Sequence, residues 1–430
     1  MFDYGICDGQ VYVDGSFQKS NLYIKDEKIA ALSTELLECK KIMHADGNYV
    51  LPGFIDPHVH FSLGVGENMS KDDFYTGSLE AVRGGVTTYI DFLDPVKKAE
   101  EIPAEFEKRN NLAKDSVVDY AFHMTVANPV SSAAELIKES KKLGINSIKL
   151  FTTYADTDRR TYDDKIYELL KASKEENALI VVHSENDDLI DKRKDILVKD
   201  HEKARPAITE NIEVMKLAQM ARETGGTLYI VHVSAGSSAK LLADNFPEEL
   251  KRKQILLESC PHYFLLNSDA LSREDGYKYT MTPPIRPEQE RKLLNKYLDV
   301  IRTIGTDHCP YTRKQKAKIY TSQVPMGIGG IRYSFLNMYN LVGFSILDKF
   351  TKEPAQIYGL KTKGTLLPGQ DADIVIFDSR KQTVVTDDMS VYANKTLQGS
   401  IETVFARGCR IFDGQTVNVH KGNYLKRGTD

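Results

Sequence analysis

The chain has 430 residues, with 57 lysines and arginines against 61 aspartates and glutamates, which gives a net charge of −4. This balance offers no basic surface for nucleic acid, and hydrophobic residues at 41% suffice for a large core. No apolar run approaches the ~18 residues of a membrane span, so we expect neither a nucleic-acid nor a membrane partner. Five scattered cysteines and an N-terminus without a secretory leader predict a cytoplasmic protein with reduced thiols.

The two ends of the chain share one pattern, in which short alternating strands are separated by Asp-Gly turns. Residues 10–13 show it near the N-terminus, and residues 373–377 show it near the C-terminus. Neither end is long enough to form a comfortable core alone. We therefore predict one small composite β-sandwich domain built from residues 1–50 and 364–430.

The middle of the chain, residues 51–363, alternates apolar strand-like runs with helix-like stretches. The eight predicted strands are Phe54–His60, Thr87–Phe92, Tyr120–Val126, Ser147–Phe151, Leu179–His183, Leu228–Val233, Ile255–Glu258 and Ile301–Thr306. Stretches such as Asp73–Arg83 and Tyr162–Glu176 are predicted helices. Apolar strands alternating with helices indicate a parallel sheet, and eight such units predict an α/β fold of the (β/α)8 TIM barrel type. A doubly wound open sheet is the alternative, but no GxGxxG turn follows an early strand.

Side chains that can bind a metal ion stand at or near the ends of the predicted strands. They are His58, His60, Lys149, His183, His232 and Asp307. Because the strand ends of a barrel meet at its C-terminal face, we expect these groups to converge on one site. Histidines two residues apart on a strand point to the same side, so His58 and His60 could hold one cation. A single buried histidine is more often a core residue, but four with this placement are not easily explained that way.

Lys149 is the unusual member of this set. A lysine on a strand is ordinarily a snorkelling or salt-bridged residue. Beside histidines and an aspartate, a neutral lysine amine could instead react with carbon dioxide. The product is a carbamate, an anionic oxygen ligand able to bridge two metal ions.

Longer motifs around these residues resemble the amidohydrolase superfamily, and within it the cyclic amidase branch of dihydropyrimidinases, hydantoinases, allantoinases and dihydroorotases. The matching segments are residues 52–60, 84–88, 149–151 with Tyr154, 183–186, 232–234, 258–263, 283–286, 306–310, 364–369 and 371–375. They follow one another over essentially the whole chain. Together they are far more specific than a lone His-x-His motif.

The resemblance implies a centre of two divalent metal ions, with zinc as the default for a histidine-rich site. The implied ligands are His58, His60 and Asp307 for one ion and His183 and His232 for the other, bridged by a carbamate formed from carbon dioxide on Lys149. It also implies a homotetramer or homodimer.

The same resemblance assigns roles around the reacting ring. Asp307 would act as general base and then as general acid, and Tyr154 would donate a hydrogen bond to the oxyanion. Thr282 and Met326 would help to hold the ring amide, largely through backbone groups. The implied reaction is hydrolysis of a cyclic amide in a small molecule, which opens a dihydropyrimidine or hydantoin to an N-carbamoyl amino acid.

Three other functions are weighed against this one. Dihydroorotases carry an arginine where this chain has Ser62, so a carboxylated ring is disfavoured. Hydrolysis of allantoin to allantoate is the alternative, because residues 326–331 and 395–399 resemble allantoinases. A non-catalytic scaffold of the same fold is a further alternative, but scaffolds typically lose metal ligands and all six are present here.

Overall fold

The structure is a computed structural model and describes residues 1–428. The strands are β1 (Phe2–Val13), β2 (Ser16–Lys25), β3 (Lys28–Ser33), β4 (Cys39–His44), β5 (Tyr49–Pro52), β6 (Phe54–Asp56), β7 (Gly64–Val65), β8 (Asn68–Met69), β9 (Val86–Phe92), β10 (Asp119–Thr125), β11 (Ser147–Phe151), β12 (Leu179–His183), β13 (Thr227–Ile230), β14 (Ile255–Ser259), β15 (Thr303–Ile304), β16 (Ile374–Val384), β17 (Thr396–Ala406) and β18 (Cys409–Phe412). The α-helices are α1 (Phe74–Arg83), α2 (Ile102–Ala113), α3 (Ala133–Lys142), α4 (Asp163–Glu175), α5 (His201–Ala204), α6 (Ala207–Thr224), α7 (Gly236–Asn245), α8 (Pro247–Lys251), α9 (Pro261–Leu265), α10 (Glu288–Lys296), α11 (Arg313–Lys316), α12 (Ser334–Val342) and α13 (Lys352–Tyr358). Within the described residues, no helix is both long enough and apolar enough to cross a membrane.

Eight strands of the central segment form one parallel sheet, in the order β15-β14-β13-β12-β11-β10-β9-β6. The sheet curls so that its first and last strands meet, and hydrogen bonds beyond the strand ends join them. The Thr306 hydroxyl donates to Asp56 Oδ2 over 2.6 Å, and the backbone N–H of His60 donates to the carbonyl of His308 over 2.9 Å. The prediction of a (β/α)8 barrel is therefore confirmed.

The barrel strands follow from their apolar sequences, since every residue of β9, β10 and β12 is buried. Such strands need cover on both faces, which the interior layers and the outer helices supply. Local signals fix where helices begin. In α1 the Asp73 carboxylate accepts a hydrogen bond from the backbone N–H of Thr76 over 2.7 Å, which caps the helix N-terminus.

The two chain ends form a second, separate sheet. Strand β5 joins the halves, because it runs parallel to β1 and antiparallel to β16 in the order β18-β17-β16-β5-β1-β2-β3, with β4 also on β1. Side chains from both ends, among them Ile6, Val50 and Phe405, enclose a core of their own. The composite part of the fold is thus confirmed, while its limits at residues 50 and 364 stay predictions.

A buried ionic cluster fastens this sheet to the barrel. The Lys363 ammonium lies 2.6 Å from Asp119 Oδ2 at the start of β10, 2.7 Å from Asp373 Oδ2 and 3.0 Å from Asp371 Oδ2. Lys363 is only 5% exposed, so these contacts are shielded from water. Lys363, in the segment between α13 and β16, thus connects the barrel at Asp119 with the second sheet at Asp373.

Three barrel strands end earlier than the sequence predicts. Strand β6 ends at Asp56, β13 at Ile230 and β15 at Ile304, so the metal-ligand candidates follow these strands rather than belong to them. The cause is local. The backbone turns into the left-handed region at His232 and Asp307, with φ of 40° and 51°, and ladder pairing stops before that point.

Candidate metal centre

Three side chains from the two ends of the barrel sheet bring one ligand atom each to a common point. The Nε2 atoms of His58 and His60 are 3.2 Å apart. Asp307 Oδ1 lies 3.3 Å from His58 Nε2 and 3.1 Å from His60 Nε2. Two imidazoles and a carboxylate that face one another at these distances form a group able to hold a metal ion.

The other two predicted histidines lie against this group. The His183 and His232 rings have centroids 4.6 Å apart, and the His232 ring is 5.5 Å from the ring of His58. Burial lowers the pKa of His58, His183 and His232, so these imidazoles are neutral, which is the form that binds a metal. The Nδ1 atom of His232 is buried and has no hydrogen-bond partner in residues 1–428.

Lys149 lies in β11 and lines the same cavity as His58, His60 and Asp307. The side chain is 1% exposed, and its Nζ atom sits 5.3 Å from the ring centre of Phe92 and 5.2 Å from that of Phe151. Within the described residues, no carboxylate pairs with this amine and no acceptor takes its hydrogen bond. Burial lowers the pKa of Lys149 to about 8, so the reactive neutral amine is accessible near neutral pH.

The backbone is strained at three of the predicted site residues. Tyr154, His232 and Asp307 have φ of 69°, 40° and 51°, a region that non-glycine residues rarely occupy. Such conformations cost of order 1–3 kcal/mol each and persist only when the surroundings enforce them. Here they aim three polar side chains at one cavity.

A buried carboxylate behind the group orients its innermost histidine. Glu258, near the end of β14, is 0% exposed, and its Oε1 lies 2.7 Å from His58 Nδ1. The same oxygen accepts from the backbone N–H of His232 over 3.2 Å, and Oε2 accepts from the Tyr229 hydroxyl over 2.8 Å. With the His58 Nδ1 proton directed at Glu258, the Nε2 lone pair faces the cavity and is free to bind a metal.

A second carboxylate, that of Glu185, orients the ring of His183. Glu185 Oε2 lies 2.7 Å from His183 Nε2, which leaves His183 Nδ1 as the nitrogen open to the cavity. Arg205 grips Glu185 with two hydrogen bonds of 3.1 and 2.6 Å, and its guanidinium stands 5.5 Å over the ring of Tyr154. Burial favours the neutral form of Glu185, but the charges and hydrogen bonds of Arg205 and His183 together outweigh burial and lower the pKa of Glu185 below its usual range.

The ligand group lies at the base of a cavity of about 630 Å³. Tyr154, Thr282 and Met326 all line it, as the sequence predicts. The Tyr154 hydroxyl is 2.8 Å from Thr282 Oγ1, so these two side chains share one hydrogen bond at the cavity wall. The volume suits a small molecule rather than a polymer.

The remaining buried histidines lie outside the ligand group. His123 donates from Nε2 to the carbonyl of Pro57 over 3.0 Å and stacks on Phe92, beneath the site. His308 Nε2 lies 2.9 Å from Asp72 Oδ2. His262 is buried beside Tyr263. His201 has Nε2 2.9 Å from the carbonyl of Met281 and forms part of the cavity wall.

Sequence reasoning assigned no role to Glu258, Glu185 or Arg205. A signal existed for Glu258, because an acid that closes the apolar run Ile255–Glu258 must be paired inside the barrel. Glu185 follows His183 by two residues, which is a weaker signal. Arg205 stands in a loop 20 residues beyond Glu185 and carries no local signal.

Comparisons with known proteins agree with this geometry. Residues 49–416 match the amidohydrolase family. The D-phenylhydantoinase of Escherichia coli O1:K1 / APEC is 31% identical over 97% of this chain and 96% of its own length. The D-hydantoinase of Geobacillus stearothermophilus is 31% identical over 98% of this chain and 96% of its own length.

Solved structures give the same result. The crystal structure of a D-hydantoinase superposes with a TM-score of 0.93 at 29% identity, covering 100% of this chain and 99% of its own. The dihydropyrimidinase from Brevibacillus agri NCHU1002 superposes with a TM-score of 0.92 at 26% identity, again covering 100% and 99%.

The barrel, the second sheet and the ligand group at the strand ends are the framework of a metal-dependent hydrolase. The chain belongs to the amidohydrolase family, in its cyclic amidase branch. The resemblance drawn from the sequence motifs is therefore confirmed.

Proposed function

We propose that this protein is a metal-dependent hydrolase that opens the ring of a hydantoin or dihydropyrimidine to an N-carbamoyl amino acid. The predicted enzyme class, a hydrolase of cyclic amides, is confirmed by relatives whose names are hydantoinase and dihydropyrimidinase and which match nearly the full chain. The observation that carries the proposal is the facing trio of His58, His60 and Asp307 in a cavity sized for one ring.

The residues fit a centre of two divalent ions. His58, His60 and Asp307 would hold one ion, because their ligand atoms already converge. His183 and His232 would hold the other, with His183 Nδ1 free and His232 Nδ1 buried without a partner among the described residues. Zinc suits this imidazole-rich donor set.

A carbamate on Lys149 would be the remaining ligand of the two proposed metal ions. The buried amine has no ion pair within residues 1–428, and it stands among neutral imidazoles. Reaction with carbon dioxide would replace this uncompensated amine with an anion that the bound cations neutralise. The modification would thus turn a buried amine that has no ion pair into an anionic ligand for the proposed cations.

Divalent ions held by these residues would supply a water molecule of lowered pKa and would polarise the ring carbonyl. The Asp307 carboxylate would act as general base toward the water that attacks the ring carbonyl, and then as general acid toward the departing ring nitrogen. Glu258 keeps His58, and Glu185 keeps His183, in the tautomer that presents a nitrogen to the cavity.

Tyr154 would stabilise the oxyanion that develops on the ring carbonyl. Its hydroxyl stands at the cavity wall, held by Thr282 over 2.8 Å, and burial raises its pKa, so it remains a donor. Backbone groups at Thr282 and Met326 would hold the ring amide. Arg205 over the Tyr154 ring fixes the angle of the phenol.

The two alternatives have less support. The relatives reported above are hydantoinases and a dihydropyrimidinase, so the allantoinase alternative is not favoured. A scaffold is not supported, because all six candidate ligands are present and the orienting carboxylates Glu258 and Glu185 are in place behind them.

We also propose a cytoplasmic homotetramer or homodimer. All five cysteines are free thiols, in keeping with a reducing compartment. Ile208 and Ile212 on α6 are 49% and 42% exposed, which offers an apolar strip to a second copy. Light scattering of the purified protein at several concentrations measures the mass, and a monomer at every concentration would refute the assembly.

One substrate panel tests the reaction. Dihydrouracil, hydantoin, allantoin and dihydroorotate are offered to the purified protein, and loss of ring-amide absorbance is followed, with Asp307→Ala as the inactive control. We expect turnover of hydantoin or dihydrouracil. Turnover of allantoin alone would replace the proposal with its alternative, and no turnover by metal-loaded protein would reject the activity.

A further inference from the structure

Among the arginines that line the substrate cavity, one has no side-chain partner in residues 1–428. Arg159 lines the cavity and is half-buried, yet in the part of the chain that the structure describes its guanidinium makes no ion pair, hydrogen bond or aromatic contact. Two neighbouring rim cations are paired, whereas Lys194, which has no ion pair among the described residues, is exposed to solvent. Lys192 lies 2.6 Å from Asp187, and Arg193 lies 2.7 Å from Asp191. A guanidinium that no protein acceptor occupies, in the wall of a binding cavity, is available to an acceptor on a ligand.

The backbone that carries Arg159 is firmly placed beside the reacting groups. Its N–H donates to the carbonyl of Tyr154 over 3.1 Å, and that of Thr157 donates to the same oxygen over 3.2 Å. The loop closes again where the N–H of Thr161 donates to Phe151 over 2.8 Å. The arginine is therefore tied to the same turn as the tyrosine that faces the substrate.

Charge and apolar lining indicate where a ligand would lie. Arg159 lines the cavity together with Met326 and Gly327. Leu63 and Val65 line the same cavity. Asp156, three residues earlier, also lines it, but this carboxylate is exposed to solvent and makes no ion pair with Arg159.

We propose that Arg159 selects ring substrates whose exocyclic arm ends in a carboxylate. A guanidinium binds a carboxylate with two parallel hydrogen bonds, and an arm reaching it would pass the apolar wall and leave the ring at Asp307 and Tyr154. This inference rests on the proposed ring-opening function. It assigns Arg159 to specificity and not to the chemical step.

Matched acids and amides test the inference. Hydantoins derived from aspartate and glutamate carry a carboxylate on arms of two lengths, and those from asparagine and glutamine carry a neutral amide of nearly the same shape. We expect kcat/KM of the wild-type protein to favour at least one acid over its amide by about 10- to 100-fold, as for a hydrogen bond to a charged group. In Arg159→Gln this ratio should fall to about one while kcat/KM for the amide stays near the wild-type value. Arg159→Lys should give an intermediate ratio.

Controls keep the two proposals apart. Arg193→Gln removes a charge at the same rim from a side chain already paired with Asp191, and it should leave the acid-to-amide ratio unchanged. High salt should reduce the wild-type ratio, because Arg159 is only half-buried. Equal wild-type rates for acid and amide on both arms, or a ratio that survives Arg159→Gln, would overturn this inference while ring opening stands. Failure to open these four rings and also unsubstituted hydantoin and dihydrouracil would instead reject the proposed function.

Discussion

His58 Nδ1 lies 2.7 Å from Glu258 Oε1, although 200 residues separate them in the chain. Both side chains are buried, at 1% and 0% exposure. The contact fixes which nitrogen of His58 faces the cavity, and the same carboxylate also binds the backbone of His232. One side chain thus orients ligands on both sides of the proposed centre.

Glu258→Gln should weaken the metal centre without unfolding the protein. The amide can offer either its oxygen or its nitrogen to His58, so the orientation of the imidazole is no longer enforced. We expect metal affinity or kcat to fall by about 10- to 100-fold, measured by chelator competition and by turnover of the best substrate. Glu402→Gln, at a surface pair with Lys381, is the control and should change neither quantity. Wild-type affinity and kcat in Glu258→Gln would show that the contact is dispensable.

Tyr154→Phe removes the hydroxyl proposed to stabilise the oxyanion. Loss of one such donor costs about 10²- to 10³-fold in kcat, and KM and metal content should change little. Steady-state kinetics and metal analysis of the purified variant measure the three quantities. Tyr162→Phe, at a 46% exposed position, should behave as wild type. A kcat within about twofold of wild type would remove Tyr154 from the mechanism.

Lys363→Met should test how much the buried ionic cluster between the barrel and the second sheet contributes to stability. Burial opposes the charge of Lys363, but Asp373, Asp119 and Asp371 outweigh it and raise its pKa above the usual 10.5. The variant leaves buried carboxylates without their cation, so we expect a loss of about 3–5 kcal/mol in the free energy of unfolding. Lys381→Met removes an exposed partner of Glu402 and should cost less than about 1 kcal/mol.

The pH dependence of that loss has a definite sign. Because the folded pKa of Lys363 is raised, its contribution is fully present below the unfolded pKa of 10.5 and declines as pH rises above that value toward the folded pKa. Urea unfolding between about pH 9 and pH 12 should therefore show a constant difference between wild type and variant up to about pH 10. Above the unfolded pKa of 10.5 that difference should shrink, by at most about 1.4 kcal/mol per pH unit. A difference that is constant throughout would exclude Lys363 as the titrating group.

The sequence predicted the scaffold well and the supporting contacts poorly. Apolar runs such as Leu179–His183 mark barrel strands because both faces are buried, and strand ends placed His183 and Lys149 correctly. The extent of β13 was overestimated, since the turn at His232 depends on tertiary contacts. No local sequence pattern predicts the hydrogen bonds from Arg205 to Glu185, and none predicts that Arg159 lacks a partner among the described residues.

Metal content per chain tests the central claim most directly. The wild-type protein and the variants Lys149→Ala and Asp307→Ala are expressed and purified with zinc and bicarbonate present. Their metal content is then measured by emission spectroscopy. We expect two ions per wild-type chain and markedly fewer in both variants, with a carbamate carbon visible by NMR after labelling with ¹³C-bicarbonate. Wild-type protein that binds no metal, or Lys149→Ala that retains both ions, would contradict a bridged binuclear centre.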